Sequence, residues 1–176
     1  ETLVINRARY SHETPYNRIA EKYDNFFFGK QYLRENKNLF QVLDLQGNIL
    51  DIGCGTGLAV EWGNIAPRNY LGIDPSKAML DKFIWNYLRV CKFEEFWGRG
   101  FDTIIALYGT ASYITGADRL LNMLNDGGNA YLMYYAPDYY PVTNRLSGID
   151  DCKTVSSPTL DKTITFSNYI IEKWEN

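Results

Sequence analysis

The segment Leu50 to Gly57, LDIGCGTG, constrains the fold more than any other, together with Asp74, which closes a second apolar run, YLGID. An apolar strand, a glycine-rich turn, a helix and a strand ending in an acid make half of a nucleotide-binding βαβ unit. Glycines let the turn adopt positive φ and let a ligand approach the backbone. The helix that the turn opens presents free N–H groups and the positive end of its dipole, which favour a carboxylate or phosphate. An acid at the end of the second strand can take both hydroxyls of a ribose. The spacing narrows the ligand. Gly53, Gly55 and Gly57 read G-x-G-x-G, and Leu58 stands where a dinucleotide fingerprint wants its third glycine.

The remaining pattern alternates strand and helix, which predicts an α/β fold with a mostly parallel sheet and right-handed crossovers. The predicted strands are 49–52, 70–73, a short one near 89–93, 101–107 and 130–135. A helix over 57–65 turns Leu58, Trp62 and Ile65 inward and ends at Pro67. Pro75 suits the first turn of a helix that carries Met79, Leu80, Phe83, Ile84, Tyr87 and Leu88 on one face. Leu120, Leu121 and Leu124 mark a short helix stopped by Gly127 and Gly128. Residues 163–166 and 169–174 are β-branched and aromatic and only Ser167 and Asn168 separate them, so they read as a tight antiparallel hairpin. Ahead of the core, residues 1–47 read as two helices, the first capped by Ser11 or Thr14, the second from about Gln31 to Leu43. Residues 136–161 are irregular, with Pro137, Pro141, Gly148 and Pro158 arguing against a long helix.

With 176 residues the chain fits one unit, 1–176, that buries roughly 70% of its unfolded surface. A net charge of −3 with scattered Lys and Arg lacks the basic footprint of a nucleic-acid binder. Cys54, Cys91 and Cys152 are odd in number and far apart, which fits reduced thiols in a cytoplasm better than a disulfide framework or metal site. No run approaches the ~18 apolar residues of a membrane span, and no signal peptide is visible. Beginning at Glu1, the chain reads as lacking a few leading residues.

GCGTG with GID downstream resembles the first two motifs of the class I S-adenosylmethionine-dependent methyltransferases. FDTIIALYGTASYI, Phe101 to Ile114, looks like the fourth motif. LLNMLNDGGNAYL, Leu120 to Leu132, looks like the helix, double-glycine turn and fifth strand that follow. YNRIAEKYD, Tyr16 to Asp24, is similar to the N-terminal segment of the small-molecule branch. The resemblance covers about Tyr16 to Trp174. It implies a Rossmann-like sandwich whose parallel sheet ends in an antiparallel hairpin, a 1–47 segment that lids a core of 48–176, S-adenosylmethionine as methyl donor and S-adenosylhomocysteine as product. It places Asp51, Gly53, Cys54, Gly55, Gly57, Asp74, Pro75, Met79, Phe93, Leu107, Tyr108, Gly109 and Tyr23 at the donor. An acid often found just after strand three is Lys92 here, so adenine recognition falls to Cys91, Phe93 and backbone groups, or to Glu94.

Several residues keep two readings. Asp51 meets the methionine end of the donor or caps a loop. Asp74 meets the ribose or caps the turn at Pro75 and Ser76. Tyr16, Tyr108 and His12 are the catalytic candidates. Tyr16 and Tyr23, seven apart, share a helix face that lines the pocket or packs the core. His12, the only histidine, is a general base or a solvated loop residue. Tyr134, Tyr135, Tyr139 and Tyr140 form an aromatic substrate cage or a strand face with its cover. The absence of Asp/Asn-Pro-Pro-Tyr and of Pro-Cys argues against amino-methylation of bases or glutamine and against cytosine C5 chemistry. One histidine makes a catalytic zinc site a poor fit. The expected acceptor is a small molecule, neutral or cationic, with no nucleic acid or membrane partner and the oligomeric state left open. The competing readings are a non-catalytic S-adenosylmethionine-binding module, such as the partner of a larger enzyme, and a nicotinamide oxidoreductase. Leu58 and the terminal hairpin count against the latter.

Overall fold

The computed structural model describes residues 2–6, 14–26, 29–83, 87–137, 139, 163–166 and 168–176. Its frame is a seven-stranded sheet built from β2 (Ile49–Ile52), β3 (Tyr70–Asp74), β4 (Leu88–Val90), β6 (Phe101–Ala106), β7 (Leu124–Tyr135), β8 (Thr163–Phe166) and β9 (Tyr169–Glu175) in the order β4-β3-β2-β6-β7-β9-β8. The first five of these run parallel, whereas β9 is antiparallel to β7 and β8 antiparallel to β9. The predicted hairpin thus forms with Phe166 opposite Tyr169. Strand periodicity divides the apolar runs between two cores. Leu50, Ile52, Ile73, Phe101, Ile104 and Leu132 pack on one face. Ile49, Ile105, Tyr131, Met133 and Ile171 pack on the other, against Leu39 and Leu43 at the end of α1 (Lys30–Val42).

The helices are shorter than their apolar stripes suggest. α2 is Leu58–Gly63 and ends at Asn64, whose left-handed backbone returns an N–H to Val60 O; Pro67 opens a 3-10 turn beyond it. Leu58 and Ile65 are buried, but Trp62 only half so. α3 is Lys77–Leu80, capped by the Ser76 hydroxyl, and Pro75 lies before the cap rather than in the first turn. The stripe expected to continue to Leu88 gives way to sheet. Gly72 N–H donates to Tyr87 O and Cys91 N–H to Asp74 O, so the edge of β3 claims this stretch for β4. Tyr87 is exposed, and Ile84 lies outside the described residues. α4 (Leu120–Met123) ends before Leu124, which already belongs to β7. Gly127 and Gly128 therefore do not stop a helix. They fall where β7 slips register against β6, with Phe101 opposite Leu124 but Thr103 opposite Asn129.

The N-terminal segment also departs from expectation. In place of one helix it makes three 3-10 turns, Pro15–Arg18, Ala20–Lys22 and Asp24–Phe26. Thr14 occupies the cap position without a side-chain capping bond, and Ser11 lies outside the described residues. A two-residue strand, β1 (Val4–Ile5), pairs antiparallel with β5 (Gly98–Arg99). Most of the irregular stretch 136–161, with Cys152, lies outside the described residues.

Candidate functional site

The chemistry gathers at the carboxyl ends of β2, β3 and β6, where ligands bind in open α/β sheets. Past β2 the chain turns through Gly53, Gly55 and Gly57, at φ of 67°, 54° and 92°. Gly53 and Cys54 N–H both donate to Ile73 O, at 2.8 and 3.1 Å, and Gly57 N–H donates to Cys54 O at 3.0 Å. These three amides are spent within the turn, and the helix it opens, α2, has only six residues. The turn therefore contributes shape more than donors. A Cβ on Gly55 would meet only the Met79 methyl, at 3.2 Å.

Asp74 ties the turn to the next strand. Its Oδ2 accepts from Gly55 N–H at 3.0 Å and its Oδ1 from Ser76 N–H at 2.7 Å. Asp74 therefore caps the turn, and it also lines the cavity. The carboxylate is buried rather than rim-exposed, and burial pushes its pKa up to about 6 against the two backbone hydrogen bonds. Asp51 is also buried. Its Oδ2 accepts from the Tyr70 hydroxyl at 2.7 Å. Burial pushes its pKa up to about 7, the Tyr70 bond opposes the rise, and the Asp74 charge adds to it.

A cavity of about 580 Å³ opens between these groups. Asp51, Gly53, Cys54, Gly55, Asp74 and Pro75 line it, as do Met79, Phe93, Leu107 and Tyr108. Tyr16 and Tyr23 complete the wall, their rings edge-to-face at 6.2 Å, although the segment that carries them is not α-helical. The N-terminal segment is fastened here. Thr56 Oγ1 donates to Asp24 Oδ1, and Ser76 Oγ donates to Asn17 Oδ1. Lys82 pairs with Glu21.

Two residues expected at the donor fall outside the cavity lining. Gly57 does not line the cavity; a Cβ there would meet the Phe83 ring at 2.6 Å, so its glycine serves packing and the left-handed cap of α2. Gly109 does not line it either, and its Cβ would fall 2.1 Å from the Tyr135 ring. Tyr134 and Tyr135 are buried at the end of β7 and stay off the cavity wall, so they do not form a cage around it. Tyr134 packs into the Leu50–Ile104 face. Tyr135 lies within 6 Å or so of Tyr113, Tyr139 and Tyr169, as a layer behind the wall. His12 and Tyr140 lie outside the described residues.

Other lining residues escaped the sequence reading. Thr56, Thr110 and Tyr113 carry no periodic signal, since each sits in a turn whose path is set by tertiary contacts. Tyr113 faces Tyr16 at 6.4 Å. The stretch after β4 lines the cavity from Cys91 to Glu95, Lys92 included. Phe93 is held from behind by Arg119, whose Cζ lies 4.4 Å from the ring centroid and whose Nη2 donates to Phe93 O at 2.6 Å. Glu94 Oε1 accepts from Thr115 N–H at 2.8 Å. No group of His, Cys, Asp and Glu among the described residues is placed to hold a metal ion.

Solved structures that align with this chain include several S-adenosylmethionine-dependent methyltransferases. The chain aligns with a methyltransferase of Thermotoga maritima described as a possible histamine N-methyltransferase, at TM-score 0.56 and 19% identity over 69% of this chain and 61% of that one. It aligns with CalS10, an amino pentose methyltransferase of Micromonospora echinaspora solved with S-adenosylmethionine, at TM-score 0.51 and 18% identity over 77% and 62%. It aligns with DhpI in a complex with S-adenosylmethionine at TM-score 0.54 and 17% identity over 90% and 78%. The chain spans about 60% of the length of the first two. No protein-family model and no curated sequence matches it. At these identities the likeness establishes the fold, which is the Rossmann-like sandwich of the class I methyltransferases.

Proposed function

We propose that this chain transfers a methyl group from S-adenosylmethionine to a small-molecule acceptor and releases S-adenosylhomocysteine. The observation that carries the reading is the cavity itself, set where the glycine turn, Asp51 and Asp74 meet at the carboxyl ends of β2 and β3. Its size falls in the range of small-ligand sites, roughly 300–1,000 Å³. Gly55 lines the cavity without a side chain, so a ligand can approach its backbone there. Each Asp74 oxygen keeps a lone pair for a ribose hydroxyl. Asp51 suits an amino group, and Cys91, Phe93 and Glu94 flank a planar base.

When bound, the donor supplies a methyl group already activated on a sulfonium. What the chain must then do is hold two molecules in line and exclude water, and positioning of this kind is worth roughly 7 kcal/mol or more. Tyr16 and Tyr23 cover the cavity for that purpose. The acceptor is a small neutral or cationic molecule, because a net charge of −3 opposes a polyanion. The free, buried Cys54 and Cys91 suit a reducing cytoplasm, and no helix among the described residues is long and apolar enough to cross a membrane.

Calorimetry tests the reading. S-adenosylmethionine and S-adenosylhomocysteine bind the folded protein saturably and NAD does not. A folded protein that gives no heat with either sulfur ligand sinks it.

A further inference from the structure

Charge and aromatic surface are segregated in the cavity. Its charged lining comes from β2, β3 and the stretch after β4, as Asp51, Asp74, Lys92, Glu94 and Glu95. The turn after β6 supplies Leu107, Tyr108, Thr110, Tyr113 and Ile114, and the 3-10 turns of the N-terminal segment supply Tyr16 and Tyr23. None of these seven is charged. Glu94 meets that turn at its far end, where the Thr115 N–H and hydroxyl donate to its Oε1 at 2.8 and 3.2 Å.

The uncharged wall is also built stiffly. Tyr113 is wedged between Tyr16, 6.4 Å away, and Tyr135, 5.8 Å away, with both ring contacts edge-to-face. Tyr135 is buried, and its N–H donates to Ser112 Oγ at 2.9 Å, which pins the turn to β7. Tyr108 takes φ 53°, a backbone that a bulky aromatic adopts only under constraint, and its N–H donates to Met133 Sδ. Rings fixed in this way offer faces and edges to a further ring with little left to order on binding.

Two molecules must share the cavity, and its charged half suits the donor, Asp51 for an ammonium and Asp74 for a ribose. The acceptor is left the uncharged wall. A charged acceptor there loses its hydration with no counter-charge among the described wall residues. An ammonium is opposed twice, because the reacting atom must come within reach of a sulfonium, a charge of its own sign. Resting on the methyl-transfer reading and narrowing its acceptor, we propose that the acceptor is an uncharged aromatic molecule whose ring packs on Tyr16 and Tyr113. A cavity of about 580 Å³ that holds donor and acceptor together limits the acceptor to about one or two fused rings.

The test uses protein saturated with S-adenosylhomocysteine and two matched series of probes. Benzyl alcohol is set against benzylamine, benzoate and cyclohexylmethanol, and 2-naphthalenemethanol against its amine, carboxylate and fully saturated counterparts. By calorimetry the aromatic alcohol of at least one series binds about tenfold tighter than its charged counterparts and about threefold tighter than its saturated one. Tyr113→Leu loses about fivefold in affinity for that aromatic alcohol and nothing for the saturated one, while Tyr113→Phe stays within about twofold of wild type. S-adenosylhomocysteine saturates both variants. Tyr16→Leu shows the same selective loss, and it reports alone if Tyr113→Leu does not fold. In both series a charged or saturated probe that binds as tightly as the aromatic alcohol, no heat from either aromatic alcohol, or unchanged affinity in the folded Leu variants each overturns the aromatic assignment. Failure of S-adenosylhomocysteine to bind folded wild-type protein is a different result, which overturns the methyl-transfer reading and the aromatic acceptor with it.

Discussion

Gly55 and Gly57 stand two residues apart and both take positive φ, yet their neighbours give them different tasks. Gly55 lines the cavity, with the Met79 methyl beside it, and Gly57 faces the Phe83 ring. Gly55→Val puts a β-branched side chain into ligand space on a left-handed backbone. Donor affinity should fall about a hundredfold or more, equivalent to ~3 kcal/mol, as read by calorimetry on protein shown to be folded by circular dichroism. Gly57→Ala should lower the melting temperature while the folded fraction keeps donor affinity within a few-fold. Wild-type affinity in Gly55→Val would place the ligand elsewhere. Tyr70 invites a second substitution. Its hydroxyl donates to Asp51 and holds that carboxyl's pKa below where burial would put it. Donor binding through the ligand's ammonium should therefore strengthen as pH rises through about 7, as Asp51 ionises. Tyr70→Phe should move that midpoint upward, and an unmoved midpoint would mean that Asp51 does not contact the donor. At this scale the sequence exposed the acids and most of the turn, because their spacing is local. It misplaced Gly57 and Gly109, whose demand for glycine comes from aromatic rings distant along the chain, Phe83 and Tyr135.

Among the elements, strands were legible and helices much less so. β2, β3 and β6 are mostly apolar runs bounded by turn residues, and they are buried along nearly their whole length. The stripe Met79 to Leu88 looked helical because apolar residues at three- and four-residue spacing suit a helix. Hydrogen bonds to β3 outcompeted it after Leu80, and those partners are invisible to local spacing. The segment from Pro15 to Phe26 has the composition of a helix but makes 3-10 turns, fastened to the site by side chains rather than by its own ladder. That fastening makes a prediction about the lid. Asp24 reaches Thr56 in the glycine turn and Asn17 reaches Ser76 at the cap of α3, so a ligand that rigidifies both turns should also tighten residues 14–26. Hydrogen exchange there should slow on adding S-adenosylhomocysteine. Asp24→Ala should remove about 1 kcal/mol of coupling and let the segment exchange faster in the bound state. Strong protection without ligand, unchanged on binding, would make the segment a fixed part of the core.

For the whole molecule, the two buried acids make stability a function of pH. Burial raises both Asp51 and Asp74, to about 7 and about 6, and the Asp74 charge adds to the rise at Asp51. In the unfolded chain they return to about 3.9. Between those limits the folded protein holds protons that the unfolded chain has released, so stability falls as pH rises from about 4 to about 7 and then levels. The contribution from these groups is fully present only below the unfolded value. Cationic parts of a bound donor reverse the balance, since ionised carboxylates then face positive charge. The melting temperature of the free protein should drop from pH 5 to pH 7.5. The gain from saturating S-adenosylmethionine should be larger at pH 7.5 than at pH 5, by about 1 kcal/mol or more. Asp51→Asn should flatten the first trend and shrink the second while leaving the Asp74 share. Because other groups titrate in the same range, the difference between wild type and Asp51→Asn is the quantity to measure. Parallel curves for the two proteins would show that Asp51 ionises in the folded state as it does in water, and that it does not set the pH response of the fold.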